Sequence, residues 1–161
     1  MNIFKFALDL ERKHQDFYLE KARESENQGL KCVFELLAKE EEKHKKIVKE
    51  LAQNKKISQI ESDILPPAKR MMEQMTSELP EDSLQQKQVD IYKMAEVMER
   101  RSHKFYKKKA EVTDNEQVSK VFKQLAEEEA KQENLMNNLI KFTNKPNTWL
   151  DDAEWYHLEE Y

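Results

Sequence analysis

An internal repeat constrains this chain more than any other feature of its sequence. Shifting residues 3–52 by 88 positions, without a gap, aligns them with residues 91–140. Identical pairs recur along the whole alignment: Ile3 and Ile91, Ala7 and Ala95, Glu11 and Glu99, Arg12 and Arg100, Phe17 and Phe105, Tyr18 and Tyr106, Val33-Phe34 and Val121-Phe122, Leu37-Ala38 and Leu125-Ala126, Glu40-Glu41 and Glu128-Glu129. A shared composition does not hold one register over this length, so the chain contains two copies of one structural unit.

Each copy has the pattern of two helices joined by a short turn. The chain holds one Gly and four Pro among 161 residues, and 37% of it is charged, a composition that favours helix. Apolar residues recur at alternating steps of three and four. The pattern predicts helices at about residues 3–26, 30–54, 83–112 and 114–142. The expected N-cap of the first is Asn2, the turn after it contains Gly29, and Thr113, Asp114, Glu116 and Gln117 form the expected capping box of the fourth.

The connections between the helices indicate how they are arranged. Two are short, so the helices that they join should lie antiparallel. The third, residues 55–82, contains Pro66, Pro67 and Pro80 and predicts a long crossover, with a short helix over residues 70–78. Together these features predict an all-α fold: a ferritin-like four-helix bundle made of two repeated α-hairpins joined by a long crossover.

We expect residues 1–161 to form a single domain. Its aromatic tail, residues 144–161, should pack as a bundle cap or as a dimer contact.

The 28 Lys and Arg against 32 Asp and Glu argue against a nucleic-acid binder. No long apolar run or signal-like N-terminus is present, so we expect no membrane role and a cytoplasmic location. The lone cysteine, Cys32, excludes a disulfide framework and any CxxC metal or redox motif.

Four glutamates fall on the predicted inward faces of the helices. These faces carry, in chain order, Phe4, Ala7, Glu11, His14, Tyr18 and Ala22; Phe34, Leu37, Glu41, His44, Val48 and Leu51; Tyr92, Ala95, Glu99, Ser102, Tyr106 and Ala110; and Phe122, Leu125, Glu129, Gln132, Met136 and Leu139. Four carboxylates in a low-dielectric core repel one another, and each costs several kcal/mol to desolvate. A bound pair of cations removes both problems.

The spacing of these glutamates matches the ligand pattern of a carboxylate-rich two-metal site. Such sites use one Glu from each of two helices and a Glu-x-x-His from each of the other two. Glu11 and Glu99 supply the single carboxylates, and Glu41 with His44 forms the full motif. The fourth element, Glu129, is followed by Gln132 where His is expected.

Less specific interpretations compete with the metal site. In a Glu-rich chain an isolated Glu-x-x-His usually lies on a solvated face, as we expect of Glu40 and Glu42. The placement of all four glutamates favours the metal site. Tyr18 and Tyr106 are either plain core aromatics or phenols that hydrogen-bond a ligand carboxylate and hold its orientation.

Several motifs together resemble the di-iron domain of rubrerythrin-like proteins. They are Ala7 to Glu11, Phe17-Tyr18, Gly29 to Lys31, Phe34 to Ala38, Glu41 to His44, Ala95 to Tyr106, Phe122 to Glu129 and Trp149 to Trp155. The resemblance implies a non-haem iron pair that reacts with hydrogen peroxide or dioxygen, and a homodimer. Typical relatives carry a four-cysteine rubredoxin-like domain, which one cysteine cannot build. Electrons would therefore come from a separate rubredoxin-type protein or reductase.

The chain departs from this family at two positions. Gln132 offers a weaker ligand than imidazole, so one metal would bind loosely or be absent. The resemblance also implies a glutamate where Ser102 stands. Its repeat mate His14 is a candidate second imidazole, or else a boundary histidine, and Glu96 and His103 are nearby substitutes.

The leading hypothesis is a peroxide- or dioxygen-reducing oxidoreductase with an external electron donor. A ferroxidase or iron-handling protein, and a structural bundle with a decayed site, are the alternatives. The ligand set would accept iron, manganese or a mixed pair.

Overall fold

The chain is almost wholly helical where its structure is described. The computed structural model describes residues 2–57, 65–75 and 82–144. They form α1 (Ile3–Glu24), α2 (Gln28–Ala52), α3 (Leu65–Met75), α4 (Asp82–Val112) and α5 (Glu116–Asn144). These ranges contain no strand, which confirms the predicted all-α class. The predicted packing of the aromatic tail lies outside the described residues, because the tail beyond Asn144 is not among them.

The N-termini of the first two helices are each fixed by an asparagine. Asn2 Oδ1 accepts the backbone N–H of Phe4 at 2.9 Å, so the expected cap of α1 is confirmed. The expectation that Gly29 forms the turn is wrong. Asn27 Oδ1 accepts from the N–H of Leu30 at 3.0 Å, so α2 already begins at Gln28 and Gly29 lies in its first turn, with no positive φ.

The expected capping box at the start of α5 is also wrong. Asn115 Oδ1 accepts the N–H of Val118 at 3.1 Å, and the helix begins at Glu116. Thr113 Oγ1 instead accepts the N–H of Asn115 at 3.3 Å and so shapes the turn. A third asparagine therefore caps this helix, since its short amide reaches the free N–H groups of the first turn.

The crossover contains α3, which starts earlier than the predicted helix over residues 70–78. It begins at Leu65 and ends at Met75. Pro66 and Pro67 fall in its first turn, where a missing N–H removes no helical hydrogen bond. The helix packs against α2, and the side chain of Ala68 is fully buried in the core.

The bundle consists of two packed helix pairs with their predicted inward faces buried. α1 packs on α2, and α4 packs on α5. All the predicted inward residues are buried except Phe4, which is partly buried. Their apolar members form two separate clusters, one around Tyr18 and Phe34 and the other around Tyr106 and Phe122. Within the described ranges, no helix carries an apolar stretch that would reach across a bilayer.

Candidate metal centre

A layer of ionisable side chains lies between the two apolar clusters. Four helices contribute to it, and each of its members is at most 1% exposed: Glu11, Glu41, His44, Glu99 and Glu129. They occupy one register because each inward face carries its glutamate one turn from apolar neighbours on both sides. The apolar clusters keep water away from the layer, so the carboxylates lie in a medium of low dielectric constant.

Three carboxylates surround the imidazole of His44. Its Nδ1 lies 3.2 Å from an oxygen of Glu129, 3.6 Å from one of Glu11 and 3.9 Å from one of Glu41. One potential ligand atom from each of these four residues falls within 4.8 Å of the others. The Glu-x-x-His motif of α2 therefore meets the glutamates of α1 and α5, as the sequence predicts.

A second group of four uses the imidazole of His14 instead. His14, Glu41, Glu99 and Glu129 also bring one potential ligand atom each within 4.8 Å of the others. His14 is 4% exposed, and its Nδ1 lies 3.9 Å from Glu41 Oε2. The hydroxyl of Ser102 lies 3.4 Å from both ring nitrogens. His14 thus reaches the centre from α1. Its repeat mate on α4, Ser102, supplies only a hydroxyl.

The two groups share Glu41 and Glu129. Glu11 and His44 belong only to the first group, and Glu99 and His14 only to the second. The arrangement therefore offers two adjacent positions, each with one carboxylate and one imidazole of its own, and two carboxylates between them. This is the donor count expected of a two-metal carboxylate site.

Several buried polar atoms of this layer have no hydrogen-bond partner among the described residues. They are Glu11 Oε2, Glu41 Oε2, Glu129 Oε1 and both ring nitrogens of His44. Leaving such atoms unsatisfied is costly, and more so for charged groups. Cations coordinated by these atoms would satisfy them at once. The oxygen-rich set with two imidazoles suits ferrous or manganous ions.

Burial and mutual repulsion divide the protons unequally among Glu11, Glu41 and Glu129. Burial and the charges of Glu11 and Glu99 raise the pKa of Glu41 and that of Glu129 well above the ordinary value. Burial also opposes charge on Glu11, but the adjacent Glu41 side chain and the charge of His44 hold its pKa below the ordinary value. Burial likewise disfavours charge on His44, but Glu11 outweighs it and raises that pKa. Without metal, protons therefore replace cations in the layer.

Two buried tyrosines hold the glutamates that are not shared. Tyr18 Oη donates to Glu99 Oε1 at 2.5 Å, and Tyr106 Oη donates to Glu11 Oε1 at 2.6 Å. Burial and the neighbouring carboxylates raise the pKa of both phenols well above the ordinary value, so they remain protonated donors. Of the two sequence-based interpretations, the structure supports the one in which each phenol hydrogen-bonds a carboxylate of the centre.

Gln132 lies inside the centre and acts there as a hydrogen-bond donor. It is 1% exposed. Its amide orientation is assigned from its neighbours, which are carboxylate acceptors. In that orientation the amide nitrogen donates to Glu41 Oε1 at 2.8 Å and to Glu99 Oε2 at 2.9 Å. Its amide thus holds together two carboxylates that would otherwise repel. An ion bound by the second group has to compete with these hydrogen bonds.

The structure does not bring the other two candidates to the centre. Glu96 accepts a hydrogen bond from Arg100 at 2.9 Å. His103 pairs with Glu133 at 3.5 Å, with a third of its side chain exposed. Both lie outside the groups of potential ligands found among the described residues.

The expectation that Glu40 faces solvent is wrong, whereas Glu42 is exposed as expected. Glu40 is 3% exposed and its repeat mate Glu128 is 6% exposed. They come within 4.8 Å of His44 as a third group of potential ligands. The signal was present in the sequence, because the doubled glutamate recurs in both copies of the repeat. It was missed because each residue precedes an inward glutamate by one position, which turns it about 100° away on the helix.

Comparison with protein families decides where the chain belongs. The family model described as rubrerythrin matches residues 2–140 and, a second time, residues 90–157. The chain belongs to the rubrerythrin family. The second match to this family begins one residue before the second copy of the repeat. No curated protein and no solved structure matches the chain.

Membership of the rubrerythrin family and the geometry of the centre agree with each other. The family points to a metal-binding helical bundle, and the buried carboxylates and imidazoles of this chain fit iron binding. The expected ferritin-like bundle is thereby confirmed.

Proposed function

We propose that this protein is a non-haem di-iron oxidoreductase that reduces hydrogen peroxide or dioxygen with electrons from an external donor. One observation carries the proposal: two four-residue ligand groups share Glu41 and Glu129, and each has one further carboxylate and one imidazole of its own. Such an arrangement suits two cations side by side. A site for a single ion would not require the second imidazole.

Each residue has a distinct part in this proposal. Glu11 and His44 would hold one ion, and Glu99 and His14 the other. The shared carboxylates would link the two, and the same set would accept manganese or a mixed pair. When bound, a ferrous pair supplies the two electrons that, with two protons, convert hydrogen peroxide to two molecules of water.

The surrounding side chains prepare the site for this chemistry. Tyr18 and Tyr106 each hydrogen-bond one oxygen of Glu99 and Glu11, respectively. Because a carboxylate is planar and rigid, each contact also sets the direction of the second oxygen. The apolar clusters on both sides exclude bulk water and so protect a reduced site from side reactions. Cys32 is the one cysteine of residues 1–161 and cannot form a four-cysteine iron site, so electrons have to come from outside these residues. We propose a rubredoxin-type protein or a reductase as the donor. Assembly as a homodimer stays a prediction.

The test compares variants in the centre with variants of exposed neighbours. We expect Glu41→Ala and Glu129→Ala to abolish peroxide consumption by the iron-loaded protein supplied with an artificial reductant. The matched controls Glu42→Ala and Glu127→Ala change an exposed glutamate on the same helices and should keep full activity. Full activity in both centre variants, with the bundle folded, would contradict the proposal.

The same assay separates the alternatives. A ferroxidase or iron-handling protein would oxidise the added ferrous ion once and then stop, whatever the supply of reductant. A structural bundle with a decayed site would bind no metal and fold identically after chelation. Sustained turnover that scales with the reductant is the result expected of the oxidoreductase.

A further inference from the structure

A second acidic pair lies beside the metal centre, and the proposed function does not use it. The pair consists of Glu40 on α2 and its repeat mate Glu128 on α5. Both side chains are buried, at 3% and 6% exposed. One oxygen of each and one ring nitrogen of His44 lie within 4.8 Å of one another. The acidic pair therefore adjoins the centre through His44, which belongs to the first ligand group of the centre and also to the group with Glu40 and Glu128.

The unpaired ring nitrogens of His44 indicate that the group of Glu40, Glu128 and His44 can bind a ligand. Its side chain is 1% exposed, and neither ring nitrogen has a hydrogen-bond partner among the described residues. Nδ1 faces the centre, 3.2 Å from Glu129 and 3.6 Å from Glu11. A neutral imidazole has one nitrogen lone pair to offer. His44 can therefore bind one cation at a time, in one group or in the other.

Each member of the acidic pair also has a lysine one turn further along its helix. Lys43 Nζ lies 3.1 Å from Glu40, and Lys131 Nζ lies 3.4 Å from Glu128. The lysine side chains are 58% and 23% exposed, whereas the carboxylates are buried. The ammonium groups thus approach from the solvent side. They balance the pair while no metal is present, and they can swing into water when a cation arrives.

We propose that Glu40 and Glu128 form a transit site for divalent cations, which passes them to the centre through His44. The glutamates of the centre are fully buried, so an ion must lose its water before it reaches them. Two carboxylates on the way replace part of that water and attract the ion. Because His44 cannot serve both groups together, the transit site empties as the centre fills. The proposal needs a centre that binds metal, but not the redox chemistry proposed above.

A transit site leaves a kinetic signature that a structural role does not. It lowers the barrier for entry and for release alike, so removing it slows both rates by the same factor. The dissociation constant of the filled centre then stays unchanged. If Glu40 instead only held His44 in place, its loss would change that dissociation constant, as losses of orienting groups commonly do.

Uptake of Co²⁺ by the full chain tests the proposal. The variant is Glu40→Gln with Glu128→Gln, and the matched control is Glu42→Gln with Glu127→Gln, which removes the same charge from exposed neighbours. Free Co²⁺ is followed with a chelating dye in stopped flow, and circular dichroism checks the fold. We expect association and dissociation about tenfold slower than in the control, with unchanged stoichiometry and dissociation constant. Replacing Lys43 and Lys131 by Gln should speed uptake, because the competing ammonium groups are gone.

The contradicting results are equally specific. Rates equal to those of the control would overturn the proposal, and so would a change in the dissociation constant. Failure of the parent protein to bind Co²⁺ would overturn it too, since there would be no centre to supply. Co²⁺ uptake involves no turnover. Normal transit kinetics with no peroxide consumption would therefore contradict only the proposed function, and the reverse pattern only the transit site.

Discussion

Tyr106 Oη donates a 2.6 Å hydrogen bond to Glu11 Oε1, although the two residues belong to different copies of the repeat. Tyr18 makes the corresponding contact with Glu99 in the opposite direction. Each helical hairpin thus supplies the phenol that holds the other hairpin's carboxylate. The two crossed contacts join the hairpins through the metal centre itself.

Replacing Tyr106 with Phe should weaken both the fold and the centre. The change removes a donor from a buried carboxylate, so we expect the free energy of unfolding of the metal-free protein to fall by about 2 kcal/mol. Affinity for a divalent cation should fall about tenfold, because Glu11 loses the group that orients it. Urea denaturation and a Co²⁺ titration measure the two effects. A variant with the stability and the cation affinity of the parent would show that Tyr106 acts only as a packed core aromatic.

We predict that His14 determines whether the centre holds one ion or two. It is the only imidazole in the second ligand group found among the described residues, so His14→Ala should leave one ion bound by the group that contains His44. The number of ions per chain should fall from about two to about one, as measured by equilibrium titration with Co²⁺. His103→Ala is the control, since that histidine pairs with Glu133 on the partly exposed surface. Two ions in the His14 variant would show that Gln132 is a sufficient ligand.

The metal-free protein should become less stable as the pH rises from about 5 to about 8. Burial and neighbouring charge raise the pKa of Glu41 and Glu129 well above the ordinary value of 4.5. In this range the folded chain therefore binds more protons than the unfolded chain, and each rise in pH favours unfolding. The raised pKa of His44 acts in the same direction above its ordinary value of 6.5. The lowered pKa of Glu11 opposes the trend only below about pH 4.5.

Thermal unfolding of the chelated protein at several pH values measures this dependence. Glu41→Gln removes one of the groups that titrate, so its melting temperature should change less with pH. Bound metal should reverse the trend, because cations bind the deprotonated carboxylates. A metal-free melting temperature that climbs over the same range would contradict the proton distribution inferred here.

The repeat made the fold and the cage of glutamates predictable from sequence. The helical spacing of apolar residues, which recurs in the same register in both copies of the repeat, is enough to place Glu11, Glu41, Glu99 and Glu129 on inward faces. Helix ends were less predictable, because they depend on which short side chain reaches a free N–H group. Asn27 and Asn115 do so, and neither Gly29 nor Thr113 decides the boundary.

The remaining parts of the site depend on distances between hairpins. Sequence could not choose between a ligand and a boundary histidine for His14, because that depends on its 3.9 Å approach to Glu41 on α2. Nor does spacing show that the amide of Gln132 joins Glu41 and Glu99. The burial of Glu40 was not predicted, because the period of a single helix does not show that Glu40 on α2 comes close to Glu128 on α5. These features follow from packing in three dimensions, which periodicity does not describe.

Metal content tests the central claim most directly. The protein should be purified without oxygen from iron-replete cells and subjected to elemental analysis, with circular dichroism to verify the helical fold. Two ligand groups that share Glu41 and Glu129 predict about two iron atoms per chain. A folded bundle that carries no metal would contradict the claim.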